Sequence, residues 1–204
     1  MTRTVRIGIT GPIGCGKSTI AGWLGELGAS IVDADDVARE VTLPGEPALA
    51  AVFQRFGDGY RLPDGSLDRA ALGRHVFADP EALAALEAIV HPAVRRRIEG
   101  AILAADEAGA PAVVIEAIKL VEGGLAAECD EVWLVTCEPG AQRLRLLGRG
   151  TPAEDAGQRI AAQTDLTDRL RPAATRVIDT SGERGETRRL VVEAWAEATA
   201  SADL

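Results

Sequence analysis

The segment at residues 11–18 constrains this chain more than any other part of its sequence. It reads GPIGCGKS, fits the pattern G-x-x-x-x-G-K-[ST], and directly follows the strand-like run VRIGI at residues 5–9. In such a loop the glycines let backbone N–H groups turn inward around a phosphate. The lysine reaches the outer phosphates, the serine oxygen binds Mg²⁺, and the helix that follows adds its positive end. The sequence therefore predicts a strand-loop-helix unit that binds a nucleotide phosphate.

The lysine of this loop is unusual for the chain. Twenty arginines but only two lysines occur, Lys17 and Lys119, so the loop has a compact ammonium where arginine is otherwise the rule. We interpret Cys15 as a small filler residue within the loop. Ser18 is the predicted Mg²⁺ ligand. The predicted nucleotide-binding residues of this segment are Gly11, Ile13, Gly14, Cys15, Gly16, Lys17, Ser18 and Thr19.

Composition narrows the class of protein. A chain of 204 residues with 47% hydrophobic content suits one compact α/β domain. The net charge of −9 disfavours nucleic acid as a partner, and no apolar stretch approaches the length of a membrane span. Cys15, Cys129 and Cys137 form no C-x-x-C pair and have no histidine at metal-ligand spacing. We therefore expect a reducing compartment, with the cytoplasm as the default, and no zinc site.

Five short apolar runs alternate with helical patterns, which predicts a parallel sheet in a three-layer α/β/α domain. The predicted strands lie at residues 5–9, 29–33, 112–117, 131–135 and 176–179. The second run ends in the acidic residues Asp33, Asp35 and Asp36. Ligands bind at the carboxyl ends of parallel strands, so these aspartates are expected on the same side as the phosphate loop. Capping of the next helix is the alternative explanation for any one of them.

Helical signals surround these strands. We predict a helical insertion at about 57–108, in which Asp79-Pro80 begins one helix and Pro92, after His91, begins another. Thr151-Pro152-Ala153-Glu154 fits a capping box that opens a helix reaching about Gln163. A closing amphipathic helix is expected at 186–200. An arginine-rich lid is expected at about 143–172, with Arg143, Arg145, Arg149, Arg159, Arg169 and Arg171.

A phosphate loop alone does not define a reaction, because GTPases, ATPases and small-molecule kinases share it. The sequence has no N-K-x-D guanine signature, and the chain is too small to join an ATPase core to a motor or transporter module. An arginine-rich lid together with a helical insertion suits a kinase, which must close over two substrates and exclude water.

Motifs along the chain resemble those of one family, the dephospho-coenzyme A kinases. The resemblance spans most of the chain in the family's order. It rests on the loop with Ile9 and Thr10, on Val32-Asp33-Ala34-Asp35 with Ala38-Arg39, on Asp64-Gly65 and Leu67-Asp68-Arg69, on His91-Pro92 with Val94-Arg95, on Cys129-Asp130, on Gln142, Arg145 and Arg149, on Arg159-Ile160 with Gln163, and on Val177-Ile178-Asp179.

The resemblance implies transfer of the γ-phosphoryl of ATP to the ribose 3′-hydroxyl of dephospho-CoA, giving CoA and ADP, with Mg²⁺ as cofactor. It implies that Lys17 holds the β- and γ-phosphates and that Asp35 accepts the hydroxyl proton. Asp33 is the alternative base, because it ends the strand and could instead hold a water bound to Mg²⁺. Arg145 and Arg149 would neutralise charge on the moving phosphoryl group or clamp ATP.

Other residues are assigned to the acceptor through the same resemblance. His91 would bind dephospho-CoA, although the helix start predicted at Pro92 leaves a packing or capping role open. Arg39 and Arg69 would meet the acceptor's phosphates, whereas Arg95-Arg96-Arg97 is explained better as a solvated helix face. The expected partners are ATP and dephospho-CoA, with no nucleic acid and no membrane, and the expected state is a monomer.

The sequence also departs from the family pattern. Residues 116–122 read EAIKLVE where the family usually has D-x-P-L-L-F-E. Lys119 follows a strand's carboxyl end, so we expect it to contact a phosphate of CoA or ATP, with an exposed loop lysine as the alternative. Thr180 stands where the family tends to have asparagine. Two other functions stay open: another P-loop nucleoside or nucleotide kinase, and a nucleotide-binding regulatory protein without turnover.

Overall fold

The computed structural model describes residues 4–200. The chain forms two compact units. The described parts of Met1–Asp33 and Ile102–Leu204 make up the first unit, and Ala34–Ala101 makes up the second. The predicted helical insertion at about 57–108 falls largely within the second unit, which begins earlier in the chain. Its role in acceptor binding stays a prediction.

A five-stranded parallel sheet forms the centre of the first unit. Its strands are β1 Val5–Thr10, β2 Ser30–Asp33, β3 Ala112–Glu116, β4 Glu131–Thr136 and β5 Arg176–Asp179, in the order β2-β3-β1-β4-β5. The predicted parallel sheet is thereby confirmed. All five residues of β3 are buried, as expected for a strand covered on both faces. β1 is the middle strand, so the loop that follows it emerges at the centre of the sheet edge.

Nine α-helices occur in the described residues: α1 Lys17–Glu26, α2 Ala34–Glu40, α3 Pro47–Phe56, α4 Arg69–Ala78, α5 Pro80–Glu107, α6 Pro139–Gly148, α7 Ala153–Ala161, α8 Leu166–Leu170 and α9 Arg184–Ala200. Short 3₁₀ turns lie at Asp58–Tyr60, Leu125–Glu128 and Arg171–Ala173. None of the helices within residues 4–200 is both long and apolar enough to cross a membrane.

Apolar side chains on both faces of the sheet produce the three layers. Ile7 and Trp133 pack in one buried cluster with Leu24 of α1 and Val191 of α9. Leu134 points to the opposite face, because side chains alternate along a strand, and packs there with residues of α8. Burying one such side chain stabilises the fold by about 1.5–3 kcal/mol. The first unit therefore has the predicted helix-sheet-helix arrangement.

The second unit is helical and has its own core. That core joins α3, α4 and the beginning of α5 through Leu49, Val52, Phe53, Leu72, Val76 and Ala82. Two of its helices begin at an aspartate whose side chain accepts from backbone N–H groups, and the sequence predicted this role for Asp79. Asp68 accepts a 2.8 Å hydrogen bond from the N–H of Ala71, and Asp79 accepts from the N–H groups at the start of α5.

One predicted helix boundary is wrong. Pro92 does not begin a new helix after His91, because α5 continues without a break from Pro80 to Glu107. A proline inside a helix removes one backbone hydrogen bond and costs about 3 kcal/mol. Burial of Val94 and Ile98 on the following turns offsets this cost. The proline itself stays on the exposed side of the helix.

The capping box predicted before α7 is also wrong. Pro152, not Thr151, occupies the cap position of α7, and no side chain of the described residues caps that helix end. The N–H of Thr151 instead donates to the carbonyl of Leu146, so this residue helps to end α6. The first turn of α7 still carries Glu154 and Asp155, which favour a helix start through their charge.

Candidate active site

The phosphate loop lies between β1 and α1, as its sequence predicted. Gly11 has φ 138°, and a Cβ atom there would lie 2.1 Å from the carbonyl oxygen of Val135, so only glycine fits so close to β4. Gly16 has φ 97° and directly precedes the first residue of α1. The first N–H groups of a helix lack partners within the helix, which makes this end a binding site for anions.

Lys17 is buried at the start of α1. Its Nζ donates to the carbonyl oxygens of Gly11 at 2.9 Å and Pro12 at 3.2 Å, and its side chain is only 7% exposed. The ammonium is therefore folded over its own loop. A phosphate oxygen bound within the loop would lie within reach of the same group.

Ser18 is hydrogen-bonded to Glu116, an acid that was not among the predicted site residues. Its hydroxyl donates a 2.8 Å hydrogen bond to Oε1 of Glu116, the last residue of β3. Glu116 is buried, and in the strand register it lies between Ile9 of β1 and Asp33 of β2. The signal was present, because an acid that ends a wholly apolar parallel strand points to the ligand edge of the sheet.

A cavity of about 420 Å³ adjoins the loop on the α1 side. Two of the predicted arginines, Arg145 and Arg149, line it. Trp23 also lines it, with the guanidinium of Arg184 5.5 Å from its ring centre. Neither Trp23 nor Arg184 belongs to a recognisable motif, so the sequence did not predict them as site residues. The remaining lining residues are Gly16, Thr19, Ile20, Gly148, Thr180, Gly182 and Thr187.

Arg145 is held by Thr180. Its guanidinium donates to the Thr180 hydroxyl at 2.7 Å and to the Thr180 carbonyl at 2.5 Å. The same hydroxyl donates to the carbonyl of Cys15 at 2.7 Å. Thr180 is buried and therefore ties the end of β5 both to the loop and to the arginine. This relationship fixes the direction of Arg145 toward the cavity.

Cys15 is more than a small filler, which corrects the interpretation made from the sequence. Its sulfur is bonded to that of Cys137, with the two Cα atoms 5.2 Å apart. Cys137 directly follows β4, and the strand order brings β4 next to the loop. The two cysteines are 122 residues apart, so their spacing gave no sign of the pair. The cysteines therefore no longer support a reducing compartment.

Lys119 is exposed and lines a second cavity of about 290 Å³. The other charged side chains of this cavity are Glu122, Asp165 and Arg169, and Arg169 lies 3.4 Å from Glu122. Gln163 also lines it. Part of the predicted lid thus lies against the segment that departs from the family pattern.

The second unit brings two predicted acceptor residues together. Arg69 donates to the carbonyl of Arg39 and to the hydroxyl of Thr42, each at 2.8 Å. Burial, and then the neighbouring Arg39 guanidinium, lower the pKa of Arg69 below its ordinary value. The lowered pKa shows that the positive charge of Arg39 acts on Arg69, and an anionic ligand would relieve this repulsion. Arg39 also forms an ion pair with Asp36.

The remaining predicted residues lie apart in the chain. Asp33 ends β2 in the first unit and is half-buried. Asp35 is exposed in the first turn of α2, and His91 is exposed in the middle of α5. Both of these belong to the second unit. Their roles in binding and catalysis stay predictions.

The fold and the site together define a P-loop kinase. A five-stranded parallel sheet, a phosphate loop after its central strand and an acid facing the loop serine are the parts that this class shares. The chain belongs to the dephospho-CoA kinase family, because the family model "Dephospho-CoA kinase" matches residues 5–186.

Relatives of known name support this membership. The chain is 46% identical over 190 residues to the dephospho-CoA kinase of Symbiobacterium thermophilum, covering 93% of this chain and 79% of that one. It is 45% identical over 192 residues to the enzyme of Geobacter metallireducens, covering 94% and 95%.

Solved structures agree in fold. A Thermus thermophilus protein superposes with a TM-score of 0.79 at 34% identity, covering 96% of this chain and 98% of that one. The shikimate kinase of Acinetobacter baumannii superposes with a TM-score of 0.54 at 15% identity, covering 98% and 96%. At this low identity the second likeness shows the fold alone.

Proposed function

We propose that this chain transfers the γ-phosphoryl group of ATP to the ribose 3′-hydroxyl of dephospho-CoA and releases CoA and ADP. The observation that carries the proposal is the phosphate loop with its Ser18–Glu116 pair, in a chain that matches the dephospho-CoA kinase model over residues 5–186. The phosphate loop with its Ser18–Glu116 pair supports phosphoryl transfer. The family match supports dephospho-CoA as the acceptor.

The loop and Lys17 would bind the β- and γ-phosphates. The ammonium, now on the carbonyls of Gly11 and Pro12, would exchange these partners for phosphate oxygens. Arg145 and Arg149 would face the nucleotide from the cavity beside the loop. Their positive charge would stabilise the charge that develops on the moving phosphoryl group.

The oxygens at the sheet edge suit Mg²⁺. Ser18 would hold the ion directly, and Glu116 would hold it through water or accept from the serine hydroxyl, because hard cations prefer hydroxyl and carboxylate oxygens. The bound ion would neutralise charge on the β- and γ-phosphates. Glu116 is itself buried beside the loop, which keeps its carboxylate aimed at this position.

The proposed base is Asp35, with Asp33 as the alternative. The base would take the proton of the 3′-hydroxyl while that oxygen forms a bond to the γ-phosphorus and the bond from phosphorus to the bridging oxygen of ADP breaks. Asp35 is exposed, and so it is open to an acceptor. Asp33 ends β2 in register with Glu116 and could equally hold a water bound to Mg²⁺.

Arg39 and Arg69 would bind phosphates of the acceptor, and His91 would contribute to the same substrate. The hydrogen bond from Arg69 to the Arg39 carbonyl, and the repulsion between their charges, are the observations that support this part. Lys119 would contact a phosphate in the cavity that it lines with Arg169. We further propose a monomer that binds neither nucleic acid nor membrane. We also propose a cytoplasmic location, which rests on the family membership because the cysteine pair does not support it.

The test is Mg²⁺-dependent ADP release with dephospho-CoA, compared with adenosine, AMP and no acceptor. Mass spectrometry should find a product heavier than dephospho-CoA by one phosphoryl group. Asp35→Asn should abolish its formation, whereas Asp33→Asn should leave a measurable rate. The opposite ranking would make Asp33 the base. Binding of ATP without transfer to any acceptor would instead favour a regulatory protein.

A further inference from the structure

Ile13 of the phosphate loop is held at both of its backbone groups by glutamine side chains. Its N–H donates to Oε1 of Gln163 at 2.8 Å, and its carbonyl accepts from Nε2 of Gln142 at 2.7 Å. Gln142 lies on α6, and Gln163 lies in the turns just after α7. Two separate segments therefore form hydrogen bonds with one residue of the loop.

The two glutamines that hold Ile13 differ in how deeply they are buried. Gln142 is 6% exposed, and its backbone and side chain pack against Gly14, so it belongs to the fixed wall of the loop. Gln163 is only half-buried and comes from a short connection between α7 and α8. It also borders the cavity that contains Lys119. Gln163 thus connects the loop to the predicted lid segment.

We propose that Gln163 is a positioning residue that links the segment after α7 to the phosphate loop and sets the loop's shape before ATP binds. The inference deepens the proposed function and rests on it. Because Oε1 of Gln163 occupies the N–H of Ile13, this donor is withheld from phosphate, which departs from the expectation that Ile13 itself binds the nucleotide. The loop then meets the nucleotide with its shape already fixed, which lowers the entropy lost on binding.

The consequence is specific to nucleotide binding. A preformed loop favours bound ATP and the transition state alike, so losing the link should raise KM for ATP while kcat changes little. A residue that only stabilised the fold would lower the amount of active enzyme and leave KM unchanged. The split between KM and kcat therefore separates the two roles.

Gln163 accepts a hydrogen bond from Ile13 and Gln142 donates one to it, so the same substitution has different effects at the two positions. The Gln163 side chain accepts a hydrogen bond, so Gln163→Glu keeps an acceptor for the Ile13 N–H. Gln163→Met keeps the size of the side chain but removes that acceptor. Gln142 donates, so Gln142→Glu would place a carboxylate against the Ile13 carbonyl. Gln158→Met is the matched control, because Gln158 is exposed on α7 and its side chain donates to Glu154 of the same helix.

The experiment measures hydrogen exchange at the Ile13 amide in the ligand-free protein, together with the dissociation constant of Mg²⁺–ADP and with KM and kcat for ATP. Gln163→Met should speed Ile13 exchange about tenfold or more and weaken Mg²⁺–ADP binding about tenfold. Gln163→Glu should keep the Ile13 protection, Gln142→Glu should keep it as well because the Gln163 acceptor remains in place, and Gln158→Met should match the wild type.

Unchanged Ile13 exchange in Gln163→Met, or unchanged Mg²⁺–ADP affinity with lost protection, would overturn the inference. Loss of protection in Gln163→Glu would overturn it as well. Failure of the proposed function is recognised separately, because the wild-type protein would then bind Mg²⁺–ADP but transfer nothing to dephospho-CoA.

Discussion

The hydroxyl of Ser18 donates a 2.8 Å hydrogen bond to Oε1 of Glu116. This contact joins the first turn of α1 to the end of β3 and places a buried carboxylate beside the phosphate loop. The charge of that carboxylate, and not only its shape, should matter for Mg²⁺, because a divalent cation is attracted to a negative oxygen more than to an amide.

Glu116→Gln should therefore raise the Mg²⁺ concentration needed for half-maximal rate and lower kcat, by about 10- to 100-fold together. The amide keeps an oxygen for the Ser18 hydroxyl, so the fold should be retained. Titrating the initial rate with Mg²⁺ at saturating ATP measures the effect. Glu193→Gln, at an exposed position of α9, is the control and should behave as the wild type. A normal Mg²⁺ requirement in Glu116→Gln would contradict the assignment.

Thr180→Val should weaken ATP binding. The valine keeps the shape of the side chain but removes the hydroxyl that contacts Arg145 and the Cys15 carbonyl. Losing one charge-assisted hydrogen bond corresponds to about a tenfold rise in KM for ATP. Thr199→Val removes a hydroxyl that bonds the carbonyls of Trp195 and Ala196 within α9, away from the cavity, and its KM should stay unchanged. Equal KM values for both variants would show that the Thr180 network does not position the nucleotide site.

Lys119→Ala should lower kcat/KM about five- to tenfold, because a charged contact with substrate phosphate is lost. Steady-state kinetics with ATP and dephospho-CoA varied in turn will show which substrate is affected. Arg189→Ala removes another exposed positive charge, on α9, and serves as the control. Kinetics that match this control would mean that Lys119 is an exposed loop lysine.

The three cysteines should differ in reactivity. Burial raises the pKa of the Cys129 thiol to about 12, and the nearby Asp130 and Glu128 add to the rise. Iodoacetamide reacts with the thiolate, so the native protein should stay unlabelled at pH 8. Unfolding without reductant should expose Cys129 alone, and unfolding with reductant should expose all three, as read from intact mass. Three labels without reductant would show that Cys15 and Cys137 are not bonded.

The raised pKa of Cys129 also has a consequence for stability. A group whose pKa is higher in the folded state than in the unfolded state favours folding fully below the unfolded pKa. Stability should therefore fall as the pH rises from about 9 toward 12, and Cys129→Ser should reduce this fall. Thermal unfolding of both proteins at pH 8 and pH 10.5 measures the difference. A pH dependence that is the same in both would contradict the effect.

Local sequence patterns predicted much of this molecule. The loop at 11–18 and the five apolar runs gave the class, the parallel sheet and the strand positions within a residue or two. These features depend on neighbouring residues, since a glycine-rich turn or a buried strand is encoded over fewer than ten positions. The family followed from motifs that are likewise short. Helix boundaries were less certain, because burial of Val94 and Ile98 overrides the local signal of Pro92.

What the sequence by itself determined is thus the strand-loop-helix unit, the sheet and the family. Only the tertiary structure decided which distant residues complete the site. Ser18 and Glu116 are 98 residues apart, Ile13 and Gln163 are 150 apart, and Cys15 and Thr180 are 165 apart. No local pattern encodes such pairs. They arise because parallel strands bring their carboxyl ends, and the loops that follow, to one edge of the sheet.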